Sequence, residues 1–167
     1  MEPRYNLIFL LLILFFIFPI EFFVIGEGYG YGIKGFTYQY QITSQGVSLI
    51  PITYELEYII NGTIKGKTYL SIIYWITGTS LNMLGLTLYL LIYDLKKPNI
   101  NRICAGFILL STIFVILSSI TQYGFLFSGP AGISILIGMP LLIGSLWYLN
   151  IIDKDMVKYQ DSVKEIL

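Results

Sequence analysis

Four long apolar stretches constrain this chain more than any other feature: residues 5–25, 69–93, 103–122 and 131–152. Each is about the 20 residues that a helix needs to cross a hydrocarbon core of roughly 30 Å. Only 12% of the residues are charged, about half the share of an ordinary soluble domain. The pattern predicts an all-α membrane protein of a single domain over residues 1–167, with four transmembrane helices in a left-handed bundle. Residues 26–68 then form an extracytoplasmic loop. Residues 153–167 form a tail that either lies on the inner surface as a short amphipathic helix or stays solvated.

Residues 7–18 are a solid run of Leu, Ile and Phe after Arg4, as in a secretory signal. No small-x-small cleavage pattern follows, because Pro19, Glu21, Phe22 and Phe23 occupy that region. The stretch therefore reads as a retained span. Lys and Arg set the orientation. With the N-terminus inside, Arg4, Lys96, Lys97, Arg102, Lys154, Lys158 and Lys164 lie inside, and Lys34, Lys65 and Lys67 lie outside. Both termini are expected to be cytoplasmic, in a multi-pass protein of the cell membrane.

The outer loop carries a β signal. Phe36, Tyr38, Tyr40 and Ile42 alternate with Thr37, Gln39, Gln41 and Thr43, a period of two. Ser44-Gln45-Gly46 reads as a turn. Ile52, Tyr54, Leu56 and Tyr58 alternate again, and Asn61-Gly62 is a hairpin dipeptide. A small antiparallel sheet of three or four strands is expected, with Phe36, Tyr38, Tyr40, Tyr54 and Tyr58 as its candidate interaction surface. Asn61-Gly62-Thr63 is also a glycosylation sequon.

Small residues recur at intervals of seven in the last three spans: Ser71, Gly78 and Gly85; Cys104, Ser111 and Ser118; Ala131, Gly138 and Ser145. Such a repeat keeps one seam facing a partner helix, and small side chains let backbones approach in lipid. Asn82 and Gln122 extend the seam. Asn82 is costly against lipid, so it is expected to face the bundle. The first span has no such stripe and is expected at the periphery.

Chemistry is sparse. The ten basic and ten acidic residues cancel, and there is no histidine. The commonest metal ligand and the commonest general base at neutral pH are therefore missing. Cys104 alone makes neither an intrachain disulfide nor a Cys-rich zinc site, and no basic patch points to nucleic acid. No phosphate loop, metalloprotease helix motif or nucleophile elbow occurs. No catalytic, cofactor or metal residue is assigned. Glu21 is the one acidic residue well inside an apolar stretch. It is a candidate intramembrane functional residue, or it pairs with a lysine such as Lys34.

In topology alone, four spans with inner termini and a β-rich first outer loop are similar to claudin-type tetraspans. Residues 26–68 hold neither the Trp nor the Cys pair of that family's signature, so no residue role is carried over. The expected function is a non-catalytic accessory or assembly subunit of a membrane complex, or a surface interaction protein. Membrane lipid, other membrane subunits or further copies of the chain would be its partners. One alternative is a small oligomeric transporter or channel lined by Asn82, Ser111, Ser118, Gln122 and Glu21. Another is a cofactor- or quinone-binding subunit of a membrane enzyme.

Overall fold

A computed structural model of the chain describes residues 3–26, 28–92 and 98–148. Helix α1 (Pro3–Ile17) leads into strands β1 (Glu21–Ile25), β2 (Gly30–Lys34), β3 (Tyr38–Thr43) and β4 (Gly46–Pro51). Helix α2 (Ile52–Ile60) and the long helices α3 (Gly66–Ile92) and α4 (Pro98–Tyr123) follow. The short hairpin of β5 (Ser128–Gly129) and β6 (Gly132–Ile135) precedes α5 (Met139–Tyr148). All the strands join one six-stranded antiparallel sheet in the order β4-β3-β2-β1-β6-β5. Strand β6 thus returns to pair with β1, although both long helices lie between them in the chain.

The expected left-handed bundle of four transmembrane helices does not form, and the multi-pass reading falls with it. Among the described residues, one helix is long and apolar enough to cross a membrane: Arg102–Tyr123 within α4, with a mean hydropathy of 2.5. The first apolar stretch divides at Pro19. A proline locks φ and lacks the N–H that would continue a helix. After it, Phe22, Phe23, Val24 and Ile25 are aromatic and β-branched residues suited to a pleated surface. The fourth stretch divides as well, opening as β6 and becoming helical only at Met139. The second does form a long helix, but Thr77, Gly78, Thr79, Ser80 and Asn82 run small and polar residues through its middle. The basic turn at Lys96 and Lys97 and the tail over residues 153–167, with its expected surface helix, lie outside the described residues.

The sheet is larger than the loop pattern implied. Strand β3 and the Ser44-Gln45 turn fall where alternation put them, but β1 and β2 come from the end of the first apolar stretch and the glycine-rich segment after it. Ile52 to Tyr58 is helical, not extended. Pro51 has no N–H to continue the ladder, and the next turns bury Glu55 while Ile52 and Ile59 pack on the core. That spacing is a helical face written over an alternating one. Asn61-Gly62 accordingly closes a helix instead of a hairpin. Gly62, at φ 66°, donates its N–H to the Ile59 carbonyl at 3.1 Å, the left-handed exit that glycine permits.

The core lies between the helices and one face of the sheet, where Phe15, Phe36, Trp75, Leu86, Ile108 and Leu142 are buried together. Phe15 meets Phe36 edge-on at 4.8 Å between ring centroids. This tethers α1 to the β2–β3 connection with about 1 kcal/mol beyond area burial.

Candidate functional site

The sheet has two unlike faces, and alternation along each strand sorts every side chain to one of them. Glu21, Phe23, Lys34 and Ser134 are buried against the helices. Phe23 stacks on Tyr123 of α4 at 6.5 Å, and Lys34 places its Nζ 5.3 Å from the Trp75 ring centroid of α3. Glu21 and Lys34 are direct cross-strand partners, and their charged ends lie 3.5 Å apart. Two hydrogen bonds fix α3 under the β2–β3 connection. The Trp75 indole donates to the Gly35 carbonyl at 2.9 Å, and Thr79 donates its hydroxyl to the Phe36 carbonyl at 2.8 Å.

Glu55 of α2 is a third buried charge on this face. Burial pushes its carboxyl above the usual glutamate range, and the positive charge of Lys34 pulls it part of the way back. Lys34 thus pairs with Glu21 and acts on Glu55 through its field alone. Glu21 Oε1 and Glu55 Oε2 have no hydrogen-bond partner among the described residues. In a low-dielectric setting such an arrangement is expensive to break, because removing one partner strands the other charge. Its chemistry is that of a latch: the Glu21–Lys34 pair and the Lys34–Trp75 contact hold β1, β2 and α3 in one relation. No group of three or more metal-ligating side chains occurs among the described residues.

The other face points away from the helices. Phe22 lies beside Ile33 and Ile135, and Val24 beside Tyr31 and Ile133. Tyr40 lies between Ile33 and Leu49, and Ile42 between Tyr31 and Val47. Every one of these is aliphatic or aromatic. Tyr31, Val47, Leu49, Ile133 and Ile135 are roughly half exposed or more, at 51%, 62%, 61%, 49% and 55%.

The sequence-derived candidates separate in space. Ser71 and Ser118 each donate a hydroxyl hydrogen bond to the other's carbonyl, both at 2.9 Å. Gly78 faces the Ser111 carbonyl and Val115, and Gly85 faces the Cys104 carbonyl and Phe107. These residues share the α3–α4 contact with the fully buried Asn82, whose amide has no partner among the described residues. Gly138 lies elsewhere, against Ile20, with its N–H donating to the Ile20 carbonyl at 3.0 Å. Ala131 accepts from the Gly26 N–H at the sheet, and Ser145 bonds within α5 to Leu141. Glu21, Asn82, Ser111 and Ser118 are all buried within one chain, and Gln122 is half-buried.

Of the aromatic candidates, Tyr40 lies on the outer sheet face, and Tyr54 and Tyr58 are exposed on α2. Tyr38 reaches back to donate its hydroxyl to the Ile17 carbonyl. Phe36 is core. Sequence reasoning missed Glu55 and Trp75. The alternation of its segment hides Glu55, and Trp75 lies in an apolar stretch with no partner visible in the sequence. The three-residue spacing of Ile52 and Glu55, just after a proline, was the available signal for the first.

No family model matches the chain, and no curated protein or solved structure is similar to it.

Proposed function

We propose that the protein is a non-catalytic, membrane-anchored interaction subunit whose sheet presents its outer face to protein partners. One observation carries this reading. The sheet turns its ionisable side chains, Glu21 and Lys34, toward the helices and its apolar side chains outward. An antiparallel sheet with one solvated face ordinarily does the reverse, and a contiguous exposed apolar patch marks a contact surface. The helical layer supports membrane anchoring. Phe9, Ile13 and Phe16 of α1, Leu109, Leu110, Ile113 and Leu117 of α4, and Ile143 and Trp147 of α5 are all exposed. Such a surface suits lipid, with Arg102–Tyr123 as the anchoring segment.

The test is native mass spectrometry of protein extracted gently from its own membrane, comparing wild type with Tyr31→Asp and Ile133→Asp. Both positions are exposed, so the fold tolerates the change. Wild type is expected to carry another chain in fixed ratio, and the variants to lose it at unchanged melting temperature. A wild-type protein that leaves the membrane in alkaline carbonate, or that travels with no protein partner of any kind, overturns the reading.

A further inference from the structure

The two edges of the sheet are not equivalent. Strand β5 is two residues long, which is one of the ways proteins blunt an edge. Strand β4 is six residues long, and among the described residues its far side pairs with no strand. The usual guards are nearly all missing from it. From Gly35 to Tyr54 the chain contains no charged residue, and the one proline, Pro51, stands at the strand's end. A long, uncharged, apolar edge is a template for another strand.

The register states which backbone groups that edge offers. Thr43 and Gly46 close the hairpin around Ser44-Gln45. In a two-residue hairpin the closing pair exchanges hydrogen bonds, and alternate pairs follow suit. The series continues through Gln41 with Ser48 and Gln39 with Ile50. It ends at the Ile52 N–H donating to the Thr37 carbonyl at 2.9 Å. Gly46, Ser48 and Ile50 therefore turn their backbone groups to β3. Val47 and Leu49 turn theirs outward, while Pro51 offers a carbonyl and no N–H. Among the described residues, no turn or loop hydrogen bond reaches the backbone of Val47 or Leu49.

We propose that the β4 edge is a homophilic docking strand: two copies of the chain pair their β4 strands antiparallel about a two-fold axis at Ser48. In that register Val47 of each copy lies opposite Leu49 of the other, and both residues carry outward backbone groups, so each pair exchanges both its hydrogen bonds. The arrangement is self-complementary, as an isologous interface must be. A second copy suits this edge because an uncharged strand meets its own image without repulsion. The side chains of Val47 and Leu49 also meet across the new pair, which joins the outer faces of two six-stranded sheets into one apolar surface. Pro51 ends the ladder on both sides. The inference rests on the sheet being the protein-contact layer of the molecule.

Ser48 provides the test. On the axis it faces its own copy as a non-hydrogen-bonded pair, with Cα atoms about 4.5 Å apart, inside the span a disulfide bridges. In a Cys104→Ser background, Ser48→Cys is expected to form an intermolecular disulfide in native membranes under mild oxidation. Ser44→Cys, at the hairpin tip, is expected not to. Leu49→Pro removes an outward donor from each copy and leaves the β3 ladder intact. It is expected to weaken dimerisation by roughly tenfold or more, the effect of losing two net hydrogen bonds, at unchanged melting temperature.

Equal crosslinking at positions 44 and 48 overturns the proposal, as does a dimer indifferent to Leu49→Pro. Hetero-complexes retained by Leu49→Pro but lost in Tyr31→Asp, without any Ser48→Cys dimer, would overturn the self-pairing and leave the interaction reading standing. Loss of membrane retention would overturn that reading itself.

Discussion

Compare the two faces of the sheet. The inner one holds the Glu21–Lys34 pair, sealed by Trp75 and Tyr123, with the buried Glu55 within the field of Lys34. The outer one holds ten aliphatic or aromatic side chains from five strands and, among the described residues of those strands, no charge. Hydrophobic patterning alone would assign them the other way round. The inner face is decided by pairing instead: Glu21 has Lys34, and Lys34 has Glu21 and the Trp75 ring. The outer face is left for contact. The two faces should therefore answer mutation differently, the inner one in stability and the outer one in association.

The sharpest way to break this comparison is Lys34→Met. It fills similar volume but leaves Glu21 buried without its counter-charge, which costs roughly 3–5 kcal/mol. A large fall in melting temperature in detergent is expected. The double variant Glu21→Gln with Lys34→Met should recover most of it, because an uncharged pair strands nothing. A single variant that melts like wild type would show that the pair holds nothing together.

Next in size is Gly32→Ala. A Cβ there would strike the Tyr40 carbonyl and come within 2.6 Å of Phe23 Cζ. Gly32 faces inward, and Phe23 lies over it because no side chain is in the way. Overpacking of this kind costs about 1–3 kcal/mol. Its outward neighbour Ile33 supplies the contrast. Ile33→Thr keeps β-branching and swaps a methyl-bearing arm for a hydroxyl at a half-buried site on the outer face, so about 1 kcal/mol or less is expected. Loss of partner binding should accompany it. Equal destabilisation at positions 32 and 33 would mean that the outer face is covered by the chain itself.

The difference between these faces explains what was legible in the sequence. The alternation of Tyr38, Tyr40 and Ile42 reports one strand correctly because the period belongs to the strand alone. The seven-residue spacing of Ser71, Gly78 and Gly85 with Cys104, Ser111 and Ser118 places small residues where α3 meets α4. Periodicity could not show that Glu21–Ile25 leaves the helix. An apolar run that is fully buried reads alike as helix or strand, and only Pro19 and the β-branched residues after it distinguish the two. Nor could it show β6 returning to β1, since that pairing joins residues far apart in the chain. The Glu21–Lys34 pair was one of the two readings open for Glu21, and Glu55 came into view only once its segment became a helix.

The smallest effect is the most specific, because it isolates the third charge of the inner face. Burial raises the Glu55 carboxyl above its ordinary value of 4.5. For an acid raised on folding, the native state favours the protonated form. The associated stability is fully present below 4.5 and is lost as pH climbs through the raised value. Wild type should therefore lose melting temperature relative to Glu55→Gln as the buffer moves from about pH 4 to about pH 8. The two curves should meet at the acid end, where both side chains are neutral and similar in shape. A constant offset across that range would mean that Glu55 titrates as it does in the unfolded chain. The positive charge of Lys34 would then offset the burial of Glu55 in full, a tighter coupling than a raised carboxyl implies.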